Sequence, residues 1–399
     1  MRAANNTVPT ITSADLEKDA HDAFRRYRMS HPLANLDTGG YVVLQHSHVS
    51  RLIDDPRLQA TETAVPAQAG LTEGPLFDIF QHGMLTANDK VHERRRSPIS
   101  RVLATQAIDH FRSSVRNAAE SLVESFYRDG RLEIGNGFAS KLPILALAEM
   151  LGLPKSEVPT FMRDVYAMNE FFRPYATPGD ISKAEEAGGR LHDYLEKLMS
   201  RKWAAEANGF LSHYLTVVEA GDELSRCESL VQIVQLIIGG TESVRTAIVA
   251  QTDNLLARQS QWEEVCDDPG LVPAAVTESL RFEPGIAGVV RVSNDAIEMG
   301  GWTLPAGQLV ILSTMSALRD ERVFVKPDSF DIFRSDLAPA QLVFGGGPHK
   351  CVADAFGRVE LEEALRVLVE RLPNLKLNTR PVFVGHMFVR RSTECWVTW

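Results

Sequence analysis

The sequence predicts a mainly α-helical chain with small β-sheets, and three observations carry that prediction. Residues 226–258 form the longest helical pattern in the chain and contain no proline. A second long pattern follows Cys351, with Val352, Ala355, Phe356, Val359 and Leu361 at roughly helical spacing. The strand-like runs are short, at 40–44, 297–304 and 308–313, with a β-hairpin over 373–399 that places Gly385 near its tip.

The composition is that of an ordinary globular protein: 399 residues, 44% hydrophobic and 24% charged, long enough for a large core. No proline- or serine-rich linker divides it. We therefore expect a single domain over 1–399, with β-rich portions at about 40–60, 285–313 and 373–399. Four cysteines (227, 266, 351 and 395) lack paired spacing, which favours a reducing compartment over a disulfide framework. Residues 1–18 are polar, and the apolar stretch 230–250 is interrupted by Gln232, Gln235, Glu242 and Arg245. Neither suits a secretory signal or a bilayer span of ~20 apolar residues, so a cytoplasmic protein with no membrane segment is expected. A net charge of −10 argues against nucleic acid as a partner.

In chain order, 14–28 reads as an amphipathic helix, 40–44 as a strand and 46–54 as a helix closed before Pro56. Residues 60–87 lack periodicity and carry Pro66, Gly70, Pro75 and Gly83, the mark of a long functional loop. Asn88 to Arg96 opens the next helix, with His92 and Arg96 four apart on one face. Such a pair suits a dianion, although a basic run of this kind is more commonly a solvated surface. Residues 107–129 and 141–151 read as core helices. Further helices at 156–174 and 183–207 are separated by Pro174-Tyr175-Ala176-Thr177-Pro178-Gly179. A helix from about 272 ends at Pro284, with Glu278 and Arg281 three apart on one face, and 285–292 turns into a strand.

Two stretches stand out chemically. In the middle of the 226–258 helix, Ile237-Ile238-Gly239-Gly240-Thr241-Glu242-Ser243 places two glycines where each costs about 1 kcal/mol relative to alanine. That pattern permits close approach of a planar group, or a local opening of the helix beside an acid and a hydroxyl. The other stretch is Phe344-Gly345-Gly346-Gly347-Pro348-His349-Lys350-Cys351, a tight loop that delivers Cys351 to the first turn of the helix behind it. Helix N-termini favour an anionic thiolate, and a thiolate beside a glycine-rich loop suits axial ligation of haem iron.

The spacing Phe, Gly, x, Gly, x, His, x, Cys resembles the haem-binding signature of the cytochrome P-450 superfamily. The resemblance implies the triangular fold of that family, with haem b lying between the long central helix and the helix after the cysteine loop. It gives Cys351 as the iron ligand, Phe344 near the sulfur, and Gly345 and Ala353 against the porphyrin. It assigns His92, Arg96, Arg291 and His349 to the propionates, and Arg358 to the arginine that closes the motif. Ala353 replaces the family's usual glycine, its methyl crowding the porphyrin, and Gly357 stands where alanine is common. Glu242 and Ser243 take the positions of the family's acid and alcohol, serine standing for threonine and losing the methyl that restrains χ1. Glu278 and Arg281, with Arg334 as third member, match a buried structural triad.

Phe77, Phe80, Met84 and Leu85 on the roof loop match the substrate wall, together with Ile238, Gly239, Ile286 and Val289. Met387, Phe388 and the residues around Ser392 close its far side, and Phe161, Tyr166, Phe171 and Phe172 lie at even odds between pocket and core. Arg94, Arg95 and Arg101 are expected to face outward as part of a docking patch. The implied function is that of a haem-thiolate monooxygenase, inserting one oxygen atom of O2 into an apolar small molecule with electrons from a ferredoxin or flavodoxin. Rival readings are a peroxygenase, an isomerase or dehydratase, a non-catalytic haem sensor or carrier, and a helical scaffold without haem.

Overall fold

The computed structural model describes residues 8–173, 176–204, 209–221 and 223–399. Pro174 and Tyr175 of the expected inter-helix turn, and the end of the expected helix at 205–207, lie outside the described residues.

The expected helices form with small shifts of their ends: Ser13–Arg28, His46–Leu52, Asp89–Thr105, Ile108–Phe126, Lys141–Leu151, Val158–Asn169, Pro178–Ala204, Val272–Phe282 and Asp354–Arg371. The loop over 60–87 differs from expectation, because Ala64–Gln68 and Pro75–His82 are short helices. A proline in the first turn starts the second of these without losing a backbone hydrogen bond.

A six-stranded sheet joins Thr10–Ile11, Leu33–Leu36, Tyr41–Val43, Leu309–Leu312, Val289–Ser293 and Leu58–Gln59, in that order. It brings the first sixty residues beside the strand that carries Arg291. At the C-terminus, Lys376–Thr379 pairs with Trp396–Thr398, which also pairs with Arg131–Glu133, while Phe383–Val384 and Arg391–Ser392 make a separate ribbon. The expected hairpin is therefore two nested ribbons, and its outer one recruits a strand far back in the chain.

Among the described residues the buried apolar side chains form four clusters. One cluster of buried apolar side chains runs from Val115 on the Ile108–Phe126 helix through Trp262 and Leu365 to Val397 in the last strand. A second joins the roof loop, the helix pair Val158–Asn169 and Pro178–Ala204, and the first half of the long central helix. Among the described residues one stretch, Arg226–Leu256, is long and apolar enough to cross a membrane, but 72% of its most apolar window is buried inside the fold.

Candidate active site

The cysteine loop is held by backbone geometry that the sequence dictates. Gly345 and Gly347 have φ of 74° and 59°, and a Cβ on Gly347 would lie 1.8 Å from Asp54 Oδ1. The loop closes where the Cys351 N–H donates to the Phe344 carbonyl at 2.9 Å. Arg358 braces it from behind, its guanidinium 4.7 Å from the Phe344 ring centroid, donating to Thr277 Oγ1 at 3.2 Å and Gln341 Oε1 at 3.0 Å.

Two expectations need correction here. Cys351 does not sit in the first helical turn: the helix starts at Asp354, and Ala353 is its N-cap. Nor is the thiol pushed toward the anion. Although the residue has an exposed surface, desolvation by the surrounding loop and then the Asp354 carboxylate raise its pKa against the lowering pull of the Ala353 N–H, Arg96 and Lys350. Desolvation outweighs the nearby dipoles, so a bonded metal cation would be what holds this sulfur as a thiolate. Ala353 has φ −116°, where an L-residue is unstrained, and a Cβ on Gly357 would meet nothing within 4 Å. Neither departure from the family pattern strains the backbone.

Beside the loop the fold gathers His92, Arg96, Arg291 and His349. The two imidazole rings lie 3.9 Å apart. Arg96 Nη2 donates to the Lys350 carbonyl at 2.5 Å, and Arg291 Nη1 to the Val290 carbonyl at 2.9 Å. Among the described residues neither arginine takes part in an ion pair. Burial, then the two arginines, pushes His92 down to about 4. Burial, then Arg291, His92 and Arg96, pushes His349 to about 3. Burial alone lowers Arg291 to about 10. His92 Nε2 is buried with no hydrogen-bond partner. Two cationic arginines without an ion pair among the described residues, beside two histidines that they help keep neutral, fit a dianion such as the two propionates of haem b.

Facing this is the long helix, which the structure divides into Arg226–Gly239 and Glu242–Leu256. The break falls on the glycines singled out from sequence, with Gly240 at φ −88°, ψ 1° and Thr241 at φ −108°, ψ −75°. Thr241 Oγ1 donates to the Ile238 carbonyl at 3.2 Å and accepts from Asn169 Nδ2 at 2.8 Å. The Ser243 hydroxyl donates to the Gly239 carbonyl at 2.7 Å, and an added Cβ on Gly239 would point into open space. Glu242 is buried and lies 3.5 Å from Arg245, whose Nη2 donates to Asn136 Oδ1 at 2.9 Å.

Of the expected wall residues, Ile238, Ile286 and Val289 are half-buried, Leu85 is 43% exposed, and Phe80 packs its ring 5.7 Å from Phe171 and 6.1 Å from Phe172. Ile286 bridges to Val389, and the Ala287 N–H donates to the Phe388 carbonyl at 2.7 Å, which joins the two far walls. Others are core rather than wall. Met84 is buried, Phe161 is buried with its ring against Tyr194, and Tyr166 is fixed by its hydroxyl to the Ser140 carbonyl at 2.7 Å.

Arg95 does not face outward, and Arg94 is only half-exposed and turned onto a buried acid. Arg95 is buried, its Nε 2.9 Å from Glu228, and Arg94 donates to the same carboxylate at 2.6 and 3.0 Å. Glu228 completes the capping box on Ser225 that starts the long helix. Burial works to raise it, but Arg94, the Ser225 N–H and Arg95 outweigh that and hold it at about 2. A buried carboxylate needs cations more than the surface does; only Arg101 of the three remains exposed.

Sequence reasoning missed Gln232 and Gln235, noted only as interruptions of an apolar run. Gln232 accepts from the Met84 N–H at 2.8 Å and Gln235 from the Leu85 N–H at 2.9 Å, while their amide groups donate to the His82 and Ile79 carbonyls. They clamp the roof loop to the central helix. The available signal was two neutral polar residues at i, i+3 within a buried apolar helix, where each demands a partner.

The Glu278–Arg281 pair is bidentate at 2.6 and 2.8 Å with both side chains 0% exposed, and Arg334 Nε lies 3.8 Å away. Arg281 also donates to the carbonyls of Leu318, Pro327 and Ser329, tying down the segment that leads to the cysteine loop.

The family profile described as Cytochrome P450 matches residues 253–381. The plant-inducible cytochrome P450-pinF1 of Rhizobium radiobacter is 32% identical over 96% of this chain and 90% of its own length. Nocardicin C N-oxygenase of Nocardia uniformis subsp. tsuyamanensis is 30% identical over 90% of this chain and 89% of its own. Among solved structures, epothilone B-bound cytochrome P450epoK superposes with a TM-score of 0.87 at 25% identity, covering 96% of this chain and 97% of that one. CalO2 superposes at 0.89 with 22% identity over 97% of both chains, a likeness of fold. The chain belongs to the cytochrome P450 family of haem-thiolate monooxygenases, whose prosthetic group is haem b.

Proposed function

We propose that this chain oxygenates an apolar small molecule using O2 and electrons delivered one at a time by a separate ferredoxin or flavodoxin. The observation that carries the reading is the unpaired group His92, Arg96, Arg291 and His349 beside the Cys351 loop. We read the chain as one domain, working in the cytoplasm without nucleic acid.

Cys351 and these four residues would hold haem b, which would supply the activation of O2. The protein orients, excludes water and moves protons. Ser243 lacks the methyl that would lock its rotamer, so its hydroxyl can leave the Gly239 carbonyl and donate into the pocket. Glu242, adjacent in the chain, is the acid that would resupply that proton once its side chain swings from Arg245. Phe80, Leu85, Ile238, Gly239, Ile286 and Val289 give the substrate an apolar wall. Gln232 and Gln235 keep the roof in place over it.

The test is a spectral-shift screen of the haem-loaded protein against a metabolite library, followed by turnover of the best ligand. Product should require O2 together with NADPH, a ferredoxin and its reductase. Equal turnover with hydrogen peroxide and no reductant would instead establish a peroxygenase, and turnover with neither oxidant an isomerase or dehydratase.

A further inference from the structure

We infer that Arg390 is a positioning residue: it fixes the broken part of the central helix, and with it Ser243, against the apolar far wall of the pocket. This rests on the reading of Ser243 as the hydroxyl of the site. Arg390 is 2% exposed and binds in three directions. Its N–H donates to the Gly285 carbonyl at 3.0 Å, and its carbonyl accepts from Thr246 Oγ1 at 2.8 Å. Its guanidinium donates to the Pro284 carbonyl at 3.2 Å and pairs with the Glu283 carboxylate. Glu283 is held in turn by His21 at 3.1 Å and by Arg319 at 3.7 Å.

Both ends of this network reach Ser243. Thr246 is one helical turn beyond it, on the same face. From the other side, Gly285 lies so close that a Cβ there would sit 2.5 Å from the Ser243 carbonyl oxygen. The next residues, Ile286 and Ala287, pair with Val389 and Phe388. Residue 390 thus joins the segment 283–287 and the helix at 243–246 through its backbone N–H and carbonyl, while its buried guanidinium anchors that backbone to Glu283 and Pro284. The charge-assisted part of this buried network, from the guanidinium to Glu283 and Pro284, fixes where the 390 backbone lies, and that backbone in turn holds Gly285 and Thr246 through neutral hydrogen bonds.

The experiment compares Arg390→Met, Arg390→Lys, Thr246→Val and Ser243→Ala as haem-loaded proteins. It reads hydrogen peroxide released per NADPH consumed with a plant-type ferredoxin and its reductase, and the Kd of 4-phenylimidazole from the Soret shift. Arg390→Met should raise peroxide release about fivefold and weaken 4-phenylimidazole about tenfold, with Arg390→Lys restoring much of both, since a lost positioning contact is read in these ratios rather than in folding alone. Thr246→Val should move both readouts in the same direction by about twofold, as one neutral hydrogen bond is lost. Should Arg390→Met fail to accumulate, Thr246→Val carries the test. Ser243→Ala with wild-type peroxide release overturns the reading of Ser243. Raised release in Ser243→Ala, with Thr246→Val and any folded Arg390→Met at wild-type values, overturns the role of Arg390 alone.

Discussion

The chain buries two groups of cations, and they differ in whether the protein supplies the anion. Arg281 meets the carboxylate of Glu278 and Arg334 that of Asp336, with Glu278 3.8 Å away, and their other donors reach backbone carbonyls. Arg96 and Arg291 meet only carbonyls, next to two histidines that burial and those same arginines keep neutral. The first group is complete and braces the chain. The second carries the desolvation cost of arginines that form no ion pair among the described residues, and an added anion would offset it, which is how a protein reserves a place for a cofactor.

The largest effect should come from breaking the complete group. Glu278→Ala strands Arg281 at 0% exposure and should cost about 3–5 kcal/mol in denaturant unfolding. A loss below about 1 kcal/mol, the worth of an exposed pair, would erase the contrast. Next, Arg291→Met should leave the melting temperature of the haem-free chain unchanged or raised, because a buried unpaired charge is removed. It should speed haem transfer to apomyoglobin about tenfold or more, the worth of one charge-assisted hydrogen bond. An equal loss of stability with and without haem would make Arg291 a structural residue like Arg281.

The smallest effect is one of pH. Burial, then Arg319, holds His21 at about 4, and burial, then Arg390 and His21, holds His386 at about 4, against an ordinary 6.5. Both are neutral in the folded chain and gain protons more readily when unfolded. Their contribution is therefore intact above about pH 6.5 and lost as the pH falls toward 4. His386→Asn should flatten the fall in melting temperature over that interval, and an unchanged slope would assign the acid lability elsewhere.

How much of this was legible depended on how local the cause was. The glycines of the cysteine loop announced it, since Gly347 needs φ of 59° and close approach to Asp54. The helix break at Gly239-Gly240 was legible for the same reason. Arg94 and Arg95 misled because a run of arginines looks like a surface until the buried Glu228, more than a hundred residues away in sequence, is seen to need them. Cys351 misled because Val352 continues the apolar spacing of the helix without being helical, and the helix starts only at Asp354.

The sequence by itself determined the cysteine loop, the flanking helices and the family, because turn chemistry and helical spacing act between neighbours along the chain. The tertiary structure alone decided which charges are paired and which are left open, that the Arg390 carbonyl meets Thr246, and that Gly285 lies against Ser243. Those outcomes depend on distances between segments that only packing brings together, where the energy of a buried charge is set by whatever the fold places beside it.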